Sequence, residues 1–220
     1  MYYIKIMKIY RLLSIAFLLF TYNLAVAEQA DLETDKALET NISEIAPEDL
    51  VQGNRESKVL VIEYFSPTCP HCAYFNKEVY SKLKELYIDN GKIAYLKREF
   101  VGTKQDLDAS VLARCGGDMK RLAFYDILLK QQESWAFNRN YNEILTNIGQ
   151  IGGVSPEQYK KCLDNKALGT VLMNNTKLIA RIPGFIGTPV FVINNKIHNG
   201  KFSIEELSKI ISEELEKTGK

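Results

Sequence analysis

Two cysteines separated by two residues, in the sequence Cys69-Pro70-His71-Cys72, carry the clearest chemistry in the chain. Cysteines at this spacing can alternate between a dithiol and a disulfide, and the attacking species in such exchange is the thiolate. Pro70 predicts that a helix begins directly after Cys69, because proline at the first helical position lacks only an N–H that would have no partner. The Cys69 sulfur would then face the free N–H groups at the positive end of that helix, which favours the thiolate. We therefore expect Cys69 to be the nucleophile and Cys72 the more buried, resolving thiol.

His71 lies between the cysteines and could add positive charge or a hydrogen bond to the Cys69 thiolate. A structural disulfide and a zinc site are the alternatives for this pair. Zinc would need two further ligands at a compatible spacing. The remaining candidates contain no second close pair and are Cys115, Cys162 and His198. The pattern therefore favours redox exchange, with no metal and no cofactor.

The elements around this pair are typical of a strand, a helix and a second strand. Residues 59–65 form a continuous β-branched and apolar run, as in a strand buried on both faces. Residues 70–90 follow as a helix that ends at Gly91, and 93–100 form the next strand. The apolar residues at helical spacing are Phe75, Val79, Leu83 and Leu86. Because no tight turn joins the two strands, we expect them to be parallel.

The rest of the chain indicates helices and then a hairpin. In the middle, Ser155 and Pro156 have the pattern of a capped helix start, and we expect four or five helices there. Asn194-Asn195 separates two short apolar runs, which predicts a β-hairpin, and Ser203 precedes a final helix. The predicted parts of this α/β domain are 58–102, a helical insertion at 103–181, and 182–220.

Three features together resemble the DsbA family of periplasmic disulfide oxidoreductases, from about 59 to 214. They are Phe65-x-x-x-Cys69-Pro70-His71-Cys72 after an apolar strand, the helical insertion, and Gly187-Thr188-Pro189-Val190-Phe191-Val192. The resemblance implies a thioredoxin fold with an inserted helical domain. It also implies that Pro189 follows a cis peptide bond and faces the active disulfide, and that Thr188 contacts substrate. From the residues alone, the favoured explanation of Pro189 is the ordinary first residue of an edge strand.

Glu63 and the second pair of cysteines are further candidates. Glu63 is a charge within an apolar strand, and the resemblance implies a buried acid there that exchanges a proton with Cys72. The alternative is a hydrated glutamate at a strand edge. For Cys115 and Cys162 we expect a structural disulfide in an oxidising compartment, the alternative being two free buried cysteines.

The first 27 residues have the order of a secretory signal peptide. A basic region precedes an apolar run at 12–20, and small residues end at Ala27. We expect cleavage after Ala27, with an uncleaved membrane anchor as the alternative. Residues 28–57 are acidic and polar, and we expect a solvated leader there.

Charge excludes one class of partner, because the 28 basic and 27 acidic residues balance and no Lys/Arg-rich run occurs. A nucleic-acid binder is therefore not expected. We predict a periplasmic enzyme that introduces disulfide bonds into exported proteins with free thiols. The resemblance implies reoxidation by a membrane quinone reductase of the DsbB type. The alternatives are a disulfide reductase or isomerase, since Thr188 before Pro189 resembles isomerase-type members, and a non-catalytic thioredoxin-fold binding module.

Overall fold

A five-stranded sheet organises the protein. The computed structural model describes residues 44–219, so the predicted signal peptide and most of the predicted leader lie outside the described residues. The strand order is β1-β3-β2-β4-β5. The strands are β1 (Gln52–Gly53), β2 (Leu60–Phe65), β3 (Ala94–Glu99), β4 (Val190–Ile193) and β5 (Lys196–Asn199).

The central strand β2 pairs in parallel with β3 and antiparallel with β4. This arrangement confirms the parallel pair predicted from the strand-helix-strand pattern. It also explains the apolar run in β2, which only Glu63 interrupts, because a strand with neighbours on both sides and packed faces has no solvated surface. The end of the segment predicted as a polar leader belongs to the sheet, since β1 pairs antiparallel with β3.

The helical segment after β2 is not a uniform α-helix. It consists of α1 (Pro70–Tyr74), a π-helical turn (Phe75–Val79), α2 (Tyr80–Leu83) and a second π-helical turn (Lys84–Ile88). The prediction that Leu86 shares the buried face is wrong: Leu86 is 45% exposed and Tyr87 is 8% exposed. A π-helical turn contains an extra residue, which moves the next inward position from 86 to 87.

The predicted helical insertion is present between β3 and β4, with six helices where the sequence predicts four or five, because one of them has only four residues. Its helices are α3 (Lys104–Cys115), α4 (Asp118–Lys130), α5 (Gln132–Trp135), α6 (Tyr141–Ile151), α7 (Pro156–Leu163) and α8 (Lys166–Ala180). Ser155 caps α7 as predicted, by accepting a hydrogen bond from the N–H of Gln158. None of the helices within residues 44–219 is long and apolar enough to span a membrane.

The chain then returns to the sheet through β4, a tight turn and β5, and ends in α9 (Ile204–Thr218). Asn194 and Asn195 both have positive φ, 43° and 67°, which confirms the predicted primed turn. Ser203 and Glu206 form a capping box at the start of α9.

Two apolar cores hold these parts together. One lies within the helical insertion and includes Trp135 and Leu112, and it also contains Cys72 and Phe65 from the strand and helix around the cysteine pair. The other lies between the sheet, the π-helical segment and α9. The cysteine pair therefore lies where the insertion packs against the end of β2.

Candidate active site

Cys69 is the residue that precedes α1, as the sequence predicts. Its backbone is extended, with φ −76° and ψ 119°, and Pro70 follows in the first helical turn. Cys69 and Cys72 are free thiols in the structure; Cys69 is partly exposed, whereas Cys72 is fully buried. A substrate can therefore reach the Cys69 sulfur and not that of Cys72.

The surroundings of Cys69 favour its thiolate. The pKa of Cys69 is lowered from 9.0 to about 5, and the largest cause is a hydrogen bond from the Cys72 thiol. Burial opposes this effect, and hydrogen bonds from the Thr188 side chain and the backbone N–H groups of Cys72 and His71 reinforce it. The imidazole of His71 is exposed, so the contribution of this residue comes from its backbone.

Cys72 has the opposite properties. Burial raises its pKa well above 9.0, and the thiol of Cys69 and the charges on Cys69 and Glu63 raise it further. Two thiols one turn apart thus differ greatly in acidity. One thiolate is stable at neutral pH, and the other sulfur holds its proton.

The loop before β4 faces Cys69. The peptide bond between Thr188 and Pro189 is cis, the geometry that the resemblance implies. The Cys69 thiol donates a hydrogen bond to the carbonyl oxygen of Thr188, with 3.0 Å between sulfur and oxygen. The structure thus brings Thr188 and Pro189 to Cys69 and Cys72, although more than a hundred residues of sequence separate the two pairs.

Glu63 lies in a closed polar cluster beneath the cysteine pair. Its side chain is completely buried, accepts a hydrogen bond from the Tyr95 hydroxyl, and has Oε2 3.5 Å from Nζ of Lys97. Lys97 donates to Oδ1 of Asn76 at 2.9 Å. The other carboxylate oxygen, Oε1, has no partner among the described residues. A buried acceptor without a partner costs free energy, so this oxygen calls for an explanation, of which proton exchange is one.

The structure joins Cys115 to Cys162 by a disulfide, with 5.9 Å between their Cα atoms. This bond connects the end of α3 to α7 inside the helical insertion. His198 is half-buried opposite Phe191 of the neighbouring strand, and burial lowers its pKa.

The aromatic residues near the centre differ in their roles. Trp135 and Phe75 are core residues, whereas Tyr74 is exposed and Lys201 Nζ lies 3.7 Å from the centre of its ring. Within residues 44–219, no group of three or more His, Cys, Asp or Glu side chains is arranged to hold a metal ion.

Sequence reasoning missed Asp106 and Gln132, two side chains of the insertion that reach the turn before α1. Asp106 accepts hydrogen bonds from Ser66 and Thr68, and Gln132 donates to the carbonyl oxygens of Pro67 and Cys69. Asp106 gives a local signal, since it closes a capping box with Thr103. That signal predicts a helix start and no contact with the cysteine turn.

Comparison with known proteins agrees with this geometry. The sequence matches the thioredoxin family over residues 45–213. It is 47% identical over 195 residues to a putative protein-disulfide oxidoreductase of Rickettsia bellii, covering 88% of this chain and 75% of that one. It is 27% identical to a probable disulfide bond formation protein D of Bacillus anthracis, covering 75% and 77%.

Solved structures show the same architecture. Wolbachia pipientis alpha-DsbA1 superposes with a TM-score of 0.75 and 26% identity, covering 81% of this chain and 96% of that one. Oxidised BdbD of Bacillus subtilis shares the fold, with a TM-score of 0.68, 20% identity and 76% and 93% coverage. The predicted thioredoxin fold with an inserted helical domain is confirmed. The chain belongs to the thioredoxin family and is a protein-disulfide oxidoreductase of the DsbA-like type.

Proposed function

We propose that this enzyme introduces disulfide bonds into exported proteins by exchange through Cys69 and Cys72. One observation carries the proposal: a partly exposed thiol with a pKa of about 5 lies beside a buried thiol that holds its proton. A stable thiolate is a good leaving group and stabilises the reduced enzyme. Both effects favour transfer of the disulfide from enzyme to substrate.

The exchange starts from the Cys69–Cys72 disulfide. A substrate thiolate attacks the Cys69 sulfur, the bond to Cys72 breaks, and the Cys72 sulfur takes the electron pair and a proton. The second substrate thiolate then attacks the substrate sulfur of the mixed disulfide, and Cys69 leaves as the thiolate. The substrate loses two electrons and two protons. The electrons and one proton stay on the enzyme, which ends with the Cys72 thiol and the Cys69 thiolate, and the other proton goes to solvent.

Neighbouring residues assist each step. Glu63, with its unpartnered Oε1, is the group that exchanges the proton with Cys72. Thr188 and Pro189 hold the substrate chain across Cys69, because their loop faces the sulfur. The backbone N–H groups at the start of α1 stabilise the Cys69 thiolate as it leaves.

The predicted signal peptide at residues 1–27 supports action on exported proteins in the periplasm. Each cycle leaves the enzyme reduced, so a partner must remove two electrons. A membrane quinone reductase of the DsbB type is the partner that the family resemblance suggests.

The direct test mixes the disulfide form with a reduced, unfolded protein that contains several cysteines and follows the loss of substrate thiols. The wild type should oxidise the substrate stoichiometrically, and Cys69→Ser should not. A wild type that loses its disulfide to glutathione without oxidising the substrate would contradict the proposal.

The second candidate is a disulfide isomerase, favoured by Thr188 before Pro189. An isomerase would reactivate a substrate with scrambled disulfides only after its own reduction. Binding of unfolded substrate by Cys69→Ser without any exchange by the wild type would instead indicate a non-catalytic binding module.

A further inference from the structure

The turn that precedes α1, residues 66–69, is held by a buried carboxylate from the helical insertion. Asp106, 1% exposed, accepts hydrogen bonds at Oδ1 from Ser66 Oγ at 2.7 Å and Thr68 N at 2.8 Å. Its Oδ2 accepts from the N–H groups of Gly102 and Thr103, at 3.1 and 3.0 Å, and from the Thr103 hydroxyl. Every partner is a donor, so the site fits a carboxylate and not an amide of the same shape.

A second side chain of the insertion holds the same turn from another helix. Gln132 of α5 is 2% exposed, and its Nε2 donates to the carbonyl oxygens of Pro67 at 2.7 Å and Cys69 at 3.0 Å. The turn is closed internally by the hydrogen bond from Cys69 N to the Ser66 carbonyl oxygen, 3.1 Å long. Asp106 thus binds the first and third residues of the turn, and Gln132 binds the second and fourth.

The two redox states depend differently on this support. In the disulfide form a covalent bond to Cys72 fixes the Cys69 sulfur. In the reduced form no covalent bond does so, and the position of the sulfur depends on the turn and on its hydrogen bonds with Thr188 and Cys72. Loosening the turn therefore destabilises the thiolate state more than the disulfide state.

We propose that Asp106 and Gln132 are positioning residues through which the helical insertion sets the oxidising strength of the cysteine pair. This inference rests on the proposed function of Cys69 and Cys72. It assigns the insertion a direct role in the redox chemistry, because the two side chains come from separate helices, α3 and α5, and meet at one turn.

The experiment uses full-length Asp106→Asn and Gln132→Met, equilibrated with glutathione redox buffers. Each variant should shift the exchange equilibrium about fivefold or more toward the disulfide form, the effect of one ordinary hydrogen bond lost from the reduced state alone. Titration of the thiolate absorbance should show a higher pKa for Cys69 in both variants. Variants that lose melting temperature but keep the wild-type equilibrium and pKa would overturn the proposal.

Asp108→Asn is the matched control. Asp108 lies on the same helix, is 3% exposed, and bonds to Lys104 and Tyr141 instead of the turn. Its substitution should lower the melting temperature without moving the exchange equilibrium. An equal shift in Asp108→Asn would overturn the proposal, since general destabilisation would then explain the result.

Gln132→Met keeps the test decisive if Asp106→Asn does not fold, because it removes no charge and replaces glutamine with a side chain of similar size. Failure of the wild type to exchange with glutathione would refute the proposed function itself. A working wild type with unaffected variants would refute only the role of Asp106 and Gln132.

Discussion

The low pKa of Cys69 predicts how pH changes the relative stability of the two redox forms. At pH 7 a pKa of about 5 in the folded protein, against 9.0 as the ordinary value, corresponds to an upper value of about 1.36 × (7 − 5), or ~2.7 kcal/mol. Cys69 is partly exposed, so solvent screening lowers this to roughly half, about 1–2 kcal/mol.

The sign follows from the direction of the shift. A lowered pKa stabilises the folded reduced protein fully above pH 9, and this stabilisation disappears as the pH falls through about 5. Cys72 keeps its proton throughout this range because burial raises its pKa. The short loop closed by the active disulfide adds a stabilisation that does not depend on pH, so the pH slope is the quantity to measure.

Thermal unfolding of the reduced and disulfide forms at pH 4 and pH 7 measures this slope. The melting temperature of the reduced form, relative to the disulfide form, should rise by about 3–6 °C between these pH values. The melting temperature of reduced Cys69→Ser, which cannot form the thiolate, should change with pH in the same way as that of the disulfide form. A difference that stays flat from pH 4 to pH 7 would refute the assignment of the thiolate to Cys69.

Other substitutions test the remaining parts of the centre. Glu63→Gln should slow resolution of the mixed disulfide roughly tenfold or more in stopped-flow exchange, while the first attack by Cys69 on a model disulfide stays within about twofold of the wild-type rate; wild-type rates for both steps would show that Glu63 moves no proton. Thr188→Val removes a hydrogen bond that lowers the pKa of Cys69, so titration of the thiolate absorbance should show a higher value, and an unchanged pKa would contradict this. Replacing Cys115 and Cys162 together by Ala should lower the free energy of unfolding by about 2–4 kcal/mol in denaturant titration, because the disulfide closes a loop across 47 positions; unchanged stability would indicate a bond without a structural role.

The sequence predicts the elements that have strong local patterns. The run in β2, the Pro70 helix start and the Asn194-Asn195 turn each follow from backbone and burial preferences of a few residues. Leu86 shows the limit of such patterns, since a π-helical turn changes the period without a recognisable residue signal. The two-residue strand β1 is too short to produce an alternating pattern.

The second limit on prediction from sequence is that local patterns do not reveal contacts between distant parts of the chain. Cys69 and Cys72 were identified from their spacing, whereas the approach of Thr188 was expected only from the family resemblance. Gln132 reaches Pro67 and Cys69 across more than sixty residues, and no local preference of a glutamine in a short helix indicates that contact. Such residues become visible only when the packing of the insertion is known.

Trapping of mixed disulfides tests the central claim most directly. Cys72→Ala and Cys69→Ala, each expressed as the full-length chain, should be compared by non-reducing electrophoresis and mass spectrometry of the bound proteins. Cys72→Ala should accumulate mixed disulfides through Cys69, because the exposed thiolate attacks and no resolving thiol remains. Cys69→Ala should accumulate none, because Cys72 is buried and keeps its proton. Equal trapping by both variants, or trapping by Cys69→Ala alone, would contradict the assignment of Cys69 as the nucleophile.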